Sequence, residues 1–234
     1  MNSFIFAAII YGNSYDQRKD IVMKTTATVE TARVDVNASQ AKTKYMVQLA
    51  LMVAITLIMA LTPLGYIKLP GISMSFLAVP VSVGAVMLGP VGGAICGAAF
   101  GITSFSSGLT DTFAPLAMAN IAGFFCMTVV ARVLEGLLTG FIFKALRSTK
   151  GTQKVSFFLA SLATPLLNTF FFMSAMILFF YNTELIQGFV TALGAANPFM
   201  FVVLMVGIQG AIEAIVCTIV GTAVSTALYK IFKK

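Results

Sequence analysis

Residues 74–105 decide the fold of this chain, and they read MSFLAVPVSVGAVMLGPVGGAICGAAFGITSF. The stretch carries no charge, and it exceeds the roughly 20 apolar residues that a helix needs to cross about 30 Å of hydrocarbon. Gly89-Pro90 interrupts it near the middle, and such a pair breaks helices because proline lacks an amide donor. The stretch is therefore either one long membrane helix or two short ones joined at Gly89-Pro90.

The positions of the basic residues choose between these two topologies. Lys42 and Lys44 precede the first apolar span and place its start on the cytoplasmic side, where basic residues concentrate. If residues 74–105 cross twice, both later basic clusters also lie in the cytoplasm, and if they cross once, both lie outside. These clusters are Lys144, Arg147, Lys150 and Lys154, followed by Lys230, Lys233 and Lys234. We therefore predict an all-α membrane protein of six transmembrane helices, with its N- and C-termini in the cytoplasm.

The remaining apolar runs supply the other spans, and the membrane domain covers residues 45–234. The runs lie at about residues 45–61, 115–146, 155–181 and 198–231, and they leave outer loops at 64–73, 107–114 and 182–197. Residues 1–44 are polar and mixed in charge, which predicts a disordered cytoplasmic tail.

Composition supports this class and excludes several others. Hydrophobic residues make up 59% of the chain and charged residues 10%, which leaves too little polar surface for a soluble fold. The apolar runs are continuous rather than alternating, so helices and not a barrel cross the membrane. The net charge of +7 comes from the chain ends and short connections, so a lipid bilayer explains it without nucleic acid.

The sequence lacks the residue types and motifs that catalysis and metal binding commonly use. The chain has no histidine, and its three cysteines lie inside apolar segments, as packed small residues do. No phosphate-binding glycine-lysine loop is present, so the chain cannot hydrolyse ATP itself. We predict that the chain is not an enzyme and that it has no metal site and no cofactor.

Three charged residues lie at membrane depth, where charge is rare enough to indicate function. Arg132 and Glu135 belong to the fourth span, and Glu213 belongs to the sixth. Arg132 and Glu135 are three residues apart and share one helix face, so they are predicted to pair, with Glu213 as a second acid. Alternatively, these charges form a purely structural ion pair that only holds the helices of the bundle together.

Three amides accompany the charges. Asn120 lies near the outer end of the fourth span, Asn168 in the middle of the fifth, and Gln209 one turn outward from Glu213. Polar side chains of this kind hold membrane helices together by only about 0.6 kcal/mol on average. Several converging amides therefore indicate a polar ligand better than they indicate stability.

Small residues mark the first half of the chain. Ala50 and Ala54 are four residues apart in the first span, a spacing that lets another helix approach closely. Gly93, Gly97 and Gly101 repeat at the same interval and give the third span one smooth face, for which internal packing is the simplest interpretation.

Three segments, in this order and spacing, resemble the S components of energy-coupling-factor (ECF) transporters. They are LTPLGYIKLPGIS at 61–73, LGPVGGA at 88–94 and ARVLEGL at 131–137. In that family they resemble the loop after the first helix, the turn between spans two and three, and the fourth span. The resemblance covers about residues 45–234, and the alanine pair of the first span resembles the family's docking motif.

The resemblance implies a division of labour. The S component binds a vitamin or related micronutrient from outside, in a pocket formed by the first outer loop, here with Tyr66 and Lys68, and by the outer halves of spans four to six. It docks through its first helices, here with Ala50 and Ala54, onto a transmembrane scaffold subunit that carries two ATPase subunits. The family implies a multi-pass protein of the prokaryotic cytoplasmic membrane.

The residue types in the chain narrow the range of possible substrates. The chain lacks the histidines used by cobalt and nickel members and the tryptophan used by thiamine-binding members. An acidic, hydroxylated vitamin suits Arg132 as carboxylate partner, with Asn120, Asn168 and Gln209 as hydrogen-bond donors. Pantothenate fits this description, while riboflavin, pyridoxine and folate derivatives stay open because outer-loop Phe and Tyr can stack on a ring.

Two alternative functions stay open on the residues alone. A stand-alone ion-coupled transporter would use Glu213 as its titratable residue, although the six spans show no internal repeat. A membrane assembly protein without a small-molecule ligand would leave the buried charges purely structural.

Overall fold

The computed structural model describes residues 23, 30, 39–62, 65–69 and 72–232, without the side chains of 66–69, 72–74, 208, 209 and 232. The chain divides into two units, Met1–Val47 and Gln48–Lys234. Disorder is predicted for residues 1–44 of the first unit, and almost all of these residues lie outside the described ones. The first span begins at Ser39 rather than at about Tyr45.

The described residues form seven helices and one pair of short strands. The helices are α1 (Ser39–Leu61), α2 (Ala78–Gly108), α3 (Ala114–Ala119), α4 (Ile121–Ser148), α5 (Ser156–Phe180), α6 (Glu184–Leu193) and α7 (Pro198–Phe232). Of these, α1, α2, α4, α5 and residues Gly210–Ile231 of α7 are long and apolar enough to cross a membrane. The predicted class, an all-α membrane protein, is therefore confirmed.

The middle of α2 is a sharp reversal. Gly89 has φ 80° and ψ −170°, a backbone conformation that only glycine adopts readily. A Cβ placed on Gly84 would lie 2.6 Å from Sγ of Cys96, whereas residues twelve apart in a straight helix are separated by about 18 Å. α2 therefore consists of two antiparallel arms, residues 78–88 and 90–108, and the predicted break at Gly89-Pro90 is confirmed.

A strand pair occupies most of the predicted first outer loop, residues 64–73. β1 (Tyr66–Leu69) pairs antiparallel with β2 (Ile72–Ser75), and Tyr66 lies opposite Ser75. The sequence predicted only a loop here, because strands of four residues are too short to show a clear alternating pattern.

The second arm of α2 runs antiparallel to α4, and α4 runs antiparallel to α5, so these helices share two distinct ends. The strand pair, α3 and α6 lie at one end, which we call the hairpin end. Gly89 and the connection 149–155 lie at the other, which we call the basic end. There the ring of Phe157 lies 5.2 Å, centroid to centroid, from both Phe143 and Tyr229 and joins α4, α5 and α7. The cytoplasmic location of the basic end stays a prediction.

The structure corrects the last predicted span, residues 198–231. α7 breaks at Gly207, whose φ is 37°, and the part before the break makes an angle of 75° with α6. The predicted outer loop 182–197 is mostly helix, because α6 lies within it. Ile186 and Val190 of α6 are buried one turn apart. Sequence alone does not predict this break, because one glycine in an apolar run costs a helix only about 1 kcal/mol.

Candidate functional site

Arg132 and Glu135 of α4 lie close enough to Glu213 of α7 to interact with it electrostatically. Arg132 is 6% exposed, and Glu135 is fully buried. Arg132 is close enough to interact electrostatically with both carboxylates, and the two carboxylates also act on each other. We call these three residues the charge cluster, in which one cation faces two acids.

Arg132 is held in place by its own helix and by two aromatic rings. Its Nη1 donates a hydrogen bond to the carbonyl oxygen of Met127 at 2.8 Å. Its Cζ lies 4.4 Å from the ring centroid of Phe172 and 5.1 Å from that of Phe100. Because cations are attracted to aromatic faces, these rings of α5 and α2 fix the guanidinium at the junction of three spans.

A π-helical turn, Cys126–Val130, lies in α4 directly before the charge cluster. Met127, whose carbonyl accepts from Arg132, belongs to this turn. π-Turns are rare and frequently occur at functional sites. Sequence reasoning missed this one, because the apolar segment CMTVV reads as ordinary helix.

Glu135 and Asn168 carry buried acceptors that face each other across α4 and α5. Thr139 and Thr164 hydrogen-bond between these antiparallel helices at 3.3 Å, which places Glu135 opposite Asn168 one turn away. Both carboxylate oxygens of Glu135 and Oδ1 of Asn168 are buried without a hydrogen-bond partner among the described residues. Buried acceptors are nearly always satisfied, so this region favours a ligand that supplies donors.

Glu213 connects the charge cluster to the strand pair. Its Oε2 accepts a hydrogen bond from the backbone N–H of Ser75 at 3.4 Å. The Sγ of Cys217, one turn further along α7, lies 3.9 Å from the carbonyl oxygen of Ser75 and donates to it. β2 is thus attached to α7 directly beside the cluster, on the side of the hairpin end.

The glycine face of the third span packs internally, as predicted. A Cβ on Gly93 would collide with the backbone carbonyl of Gly136, and one on Gly97 would collide with that of Arg132. Gly101 meets the backbone of Val129 in the same way. The second arm of α2 therefore touches the α4 backbone at the residue that carries the guanidinium.

The other predicted site residues lie in different surroundings. Asn120 is exposed, and its Oδ1 accepts from the N–H of Gly123 at 2.9 Å, so this oxygen caps the start of α4. The side chains of Tyr66, Lys68 and Gln209 lie outside the described residues, although their backbones belong to β1 and α7.

Ala50 and Ala54 are both exposed on α1, whereas Met52 and Thr56 on its other face are buried. α1 is the least covered span, with 11% of its most apolar window buried, against 50% in both α2 and α4. The alanine pair therefore lies on a face that is open to lipid or to a partner helix.

The fold and the site define an integral membrane protein with a polar cluster enclosed by its spans. Residues 44–225 match the family model described as ECF transporter, substrate-specific component, and the chain belongs to this family. It is therefore a multi-pass cell-membrane subunit of a transporter and not an enzyme. A comparison with curated proteins gave no match.

Proposed function

We propose that this S component takes up a vitamin or related micronutrient from outside the cell and delivers it through an ATP-driven ECF module. The module consists of a transmembrane scaffold subunit and two ATPase subunits. The substrate part of this proposal rests on the charge cluster and its buried acceptors, since a helix bundle does not need such groups in order to pack. With the basic end in the cytoplasm, the strand pair lies on the side from which the substrate arrives.

Pantothenate is the substrate that we propose first. Its carboxylate can accept a charge-assisted hydrogen bond from Arg132. Its two hydroxyls and its amide N–H are three donors, which match the three buried acceptors of Glu135 and Asn168. Glu135 and Glu213 oppose any anion that lacks such donors, so the cluster selects for a hydroxylated acid rather than for negative charge alone. Tyr66, Lys68 and Gln209 complete the proposed pocket from β1 and α7.

A thermal-shift screen of the purified chain against B vitamins and their precursors tests this proposal. At a hundred times its dissociation constant, the true substrate is expected to stabilise the protein by about 2.7 kcal/mol, because it binds only the folded state. We expect pantothenate to give the largest shift. Pantothenol, in which an alcohol replaces the carboxylate, is the matched control and should give a much smaller one.

Equal shifts with pantothenate and pantothenol would mean that Arg132 does not bind the carboxylate of the substrate. A large shift with a different vitamin would replace pantothenate but keep the vitamin-binding function. If no vitamin or precursor shifts the unfolding temperature, the proposed substrate class is wrong.

The exposed alanine pair of α1 is our proposed contact with the scaffold subunit. Ala50 and Ala54 leave a shallow surface on the span that its own bundle covers least. A close helix–helix approach gains packing over small residues, and in lipid this packing is a main source of association energy.

Replacing both alanines by tryptophan is expected to abolish docking without abolishing substrate binding. Two large side chains in a close interface cost about 1–3 kcal/mol each, so together they weaken docking by about thirtyfold or more. Co-purification with scaffold and ATPase subunits from the same organism measures docking, and the ligand-induced thermal shift measures binding. Ala223→Trp, at an exposed alanine of α7, is the matched control. Unchanged co-purification of the Ala50→Trp/Ala54→Trp variant would place the docking face elsewhere.

A further inference from the structure

A cleft of about 330 Å³ lies at the basic end, far from the charge cluster. It is formed by the end of α4, the connection to α5, the start of α5 and the later part of α7. Its polar lining consists of Arg147, Gln153, Lys154, Thr222 and Thr226. Phe157 and Phe158 supply its apolar wall.

Arg147 presents a fixed positive charge in this cleft. Its Cζ lies 4.8 Å from the ring centroid of Tyr229 and 5.3 Å from that of Phe157, so α5 and α7 both hold the guanidinium. Gln153 donates through Nε2 to the backbone carbonyl of Arg147 at 3.2 Å and ties the connection to the same helix end. A guanidinium fixed in this way can offer its remaining donors to a phosphate in a defined direction.

The charged side chains on the segments around the cleft are all positive. Five cations lie on the adjoining segments: Lys144, Arg147, Lys150, Lys154 and Lys230. No Asp or Glu occurs in residues 136–183 or 214–234. An anionic group with oxygen acceptors would satisfy this excess of positive charge.

The surroundings of the cleft favour a lipid over a soluble anion. Phe158 is 48% exposed and Val155 is 45% exposed, so apolar surface borders the basic lining where α5 begins. A phospholipid places its phosphate at the level of such helix ends and its acyl chains against such side chains, and basic pockets between spans bind anionic headgroups. We propose that this cleft binds the phosphate of an anionic phospholipid and anchors the basic end of the bundle at the membrane surface.

The test uses the full chain in mixed micelles with phosphatidylglycerol or phosphatidylcholine. Native mass spectrometry counts retained lipids, and thermal unfolding reports stabilisation. Phosphatidylglycerol is expected to be retained and to raise the unfolding temperature, whereas phosphatidylcholine is not. The variant Arg147→Gln/Lys154→Gln should weaken phosphatidylglycerol binding by about a hundredfold or more, since each charge-assisted hydrogen bond to the phosphate contributes about one tenfold step or more.

Lys144→Gln/Lys230→Gln is the matched control, because it removes the same charge outside the cleft lining. Its effect is limited to attraction toward the anionic surface, so it should weaken lipid binding by about thirtyfold at most, clearly less than the cleft variant does. Equal losses in both variants would mean diffuse surface attraction and overturn the site. Equal stabilisation by inorganic phosphate would mean a soluble anion site and overturn the lipid assignment. If the double variant does not fold, Lys154→Gln alone, at an exposed residue, gives the same comparison with Lys144→Gln.

Discussion

Gly97→Leu is expected to prevent this protein from accumulating in a folded form, and Gly97→Ala to lower its unfolding temperature clearly. A Cβ at Gly97 would approach the backbone carbonyl of Arg132 far more closely than 3.0 Å, a limit that real Cβ atoms do not cross. The obstacle is backbone rather than a flexible side chain, so α2 and α4 must move apart. Overpacking of this kind costs about 1–3 kcal/mol for one added carbon group and more for a whole leucine side chain. Yield in detergent and thermal unfolding measure both effects.

Gly188→Ala is the matched control for this prediction. Gly188 lies in α6, and a Cβ there would have nothing within 4 Å. Alanine is preferred over glycine inside a helix by about 0.5–1 kcal/mol, so this variant should be as stable as the natural protein or slightly more stable. If Gly97→Ala behaved like Gly188→Ala, the close contact between the second arm of α2 and α4 would not exist.

The same contact also positions the proposed substrate site. Because Gly97 touches the backbone at Arg132, a displacement of α4 moves the guanidinium relative to Phe172 and Phe100. Any Gly97→Ala protein that does fold is therefore expected to bind the substrate less tightly, while Gly188→Ala binds normally.

Arg132→Gln is expected to weaken substrate binding strongly and to destabilise the bundle as well. A charge-assisted hydrogen bond contributes about 1.5–3 kcal/mol, so its loss should weaken pantothenate binding by about tenfold to more than a hundredfold. Removing one partner from a buried group of charges costs about 3–5 kcal/mol of stability, because Glu135 and Glu213 would face each other without a cation. Thermal unfolding without ligand and isothermal titration with ligand separate the two effects.

Two further variants distinguish a binding role from a structural one. Arg132→Lys keeps the charge but loses the planar two-pronged donor, so stability should largely persist while affinity falls. Arg132→Gln/Glu135→Gln removes one charge of each sign and should recover part of the lost stability without recovering binding. If Arg132→Gln bound pantothenate as tightly as the natural protein, the arginine would serve the bundle alone and the carboxylate assignment would be wrong.

Features that depend on rare residues at fixed positions could be predicted from the sequence. Gly89-Pro90 marks the reversal in α2, because that pair cannot continue a helix and the charge distribution then requires a turn. Arg132, Glu135 and Glu213 stand out because charges inside apolar spans are rare. The regular spacing of glycines correctly predicted an internal helix contact.

Features that depend on ordinary residues could not be predicted in this way. The break at Gly207 and the π-turn at Cys126–Val130 lie within continuous apolar sequence, where hydropathy is the same for straight, kinked and π-helical backbone. Asn120 is predicted to contact the ligand because it is one of several converging amides, and the structure adds that its oxygen caps α4. Its spacing from Gly123 fits a helix cap, so this signal was available in the sequence.

The sequence by itself determined that this chain crosses the membrane repeatedly and where most of its spans lie. It could do so because a membrane span satisfies its backbone hydrogen bonds within itself and needs only a local run of apolar residues. Only the tertiary structure decided which polar groups meet. The bond from Ser75 to Glu213 joins residues 138 positions apart, and the contact of Gly97 with Arg132 joins two different spans. Such contacts depend on how the helices rotate and pack against each other, and apolar composition does not encode that rotation.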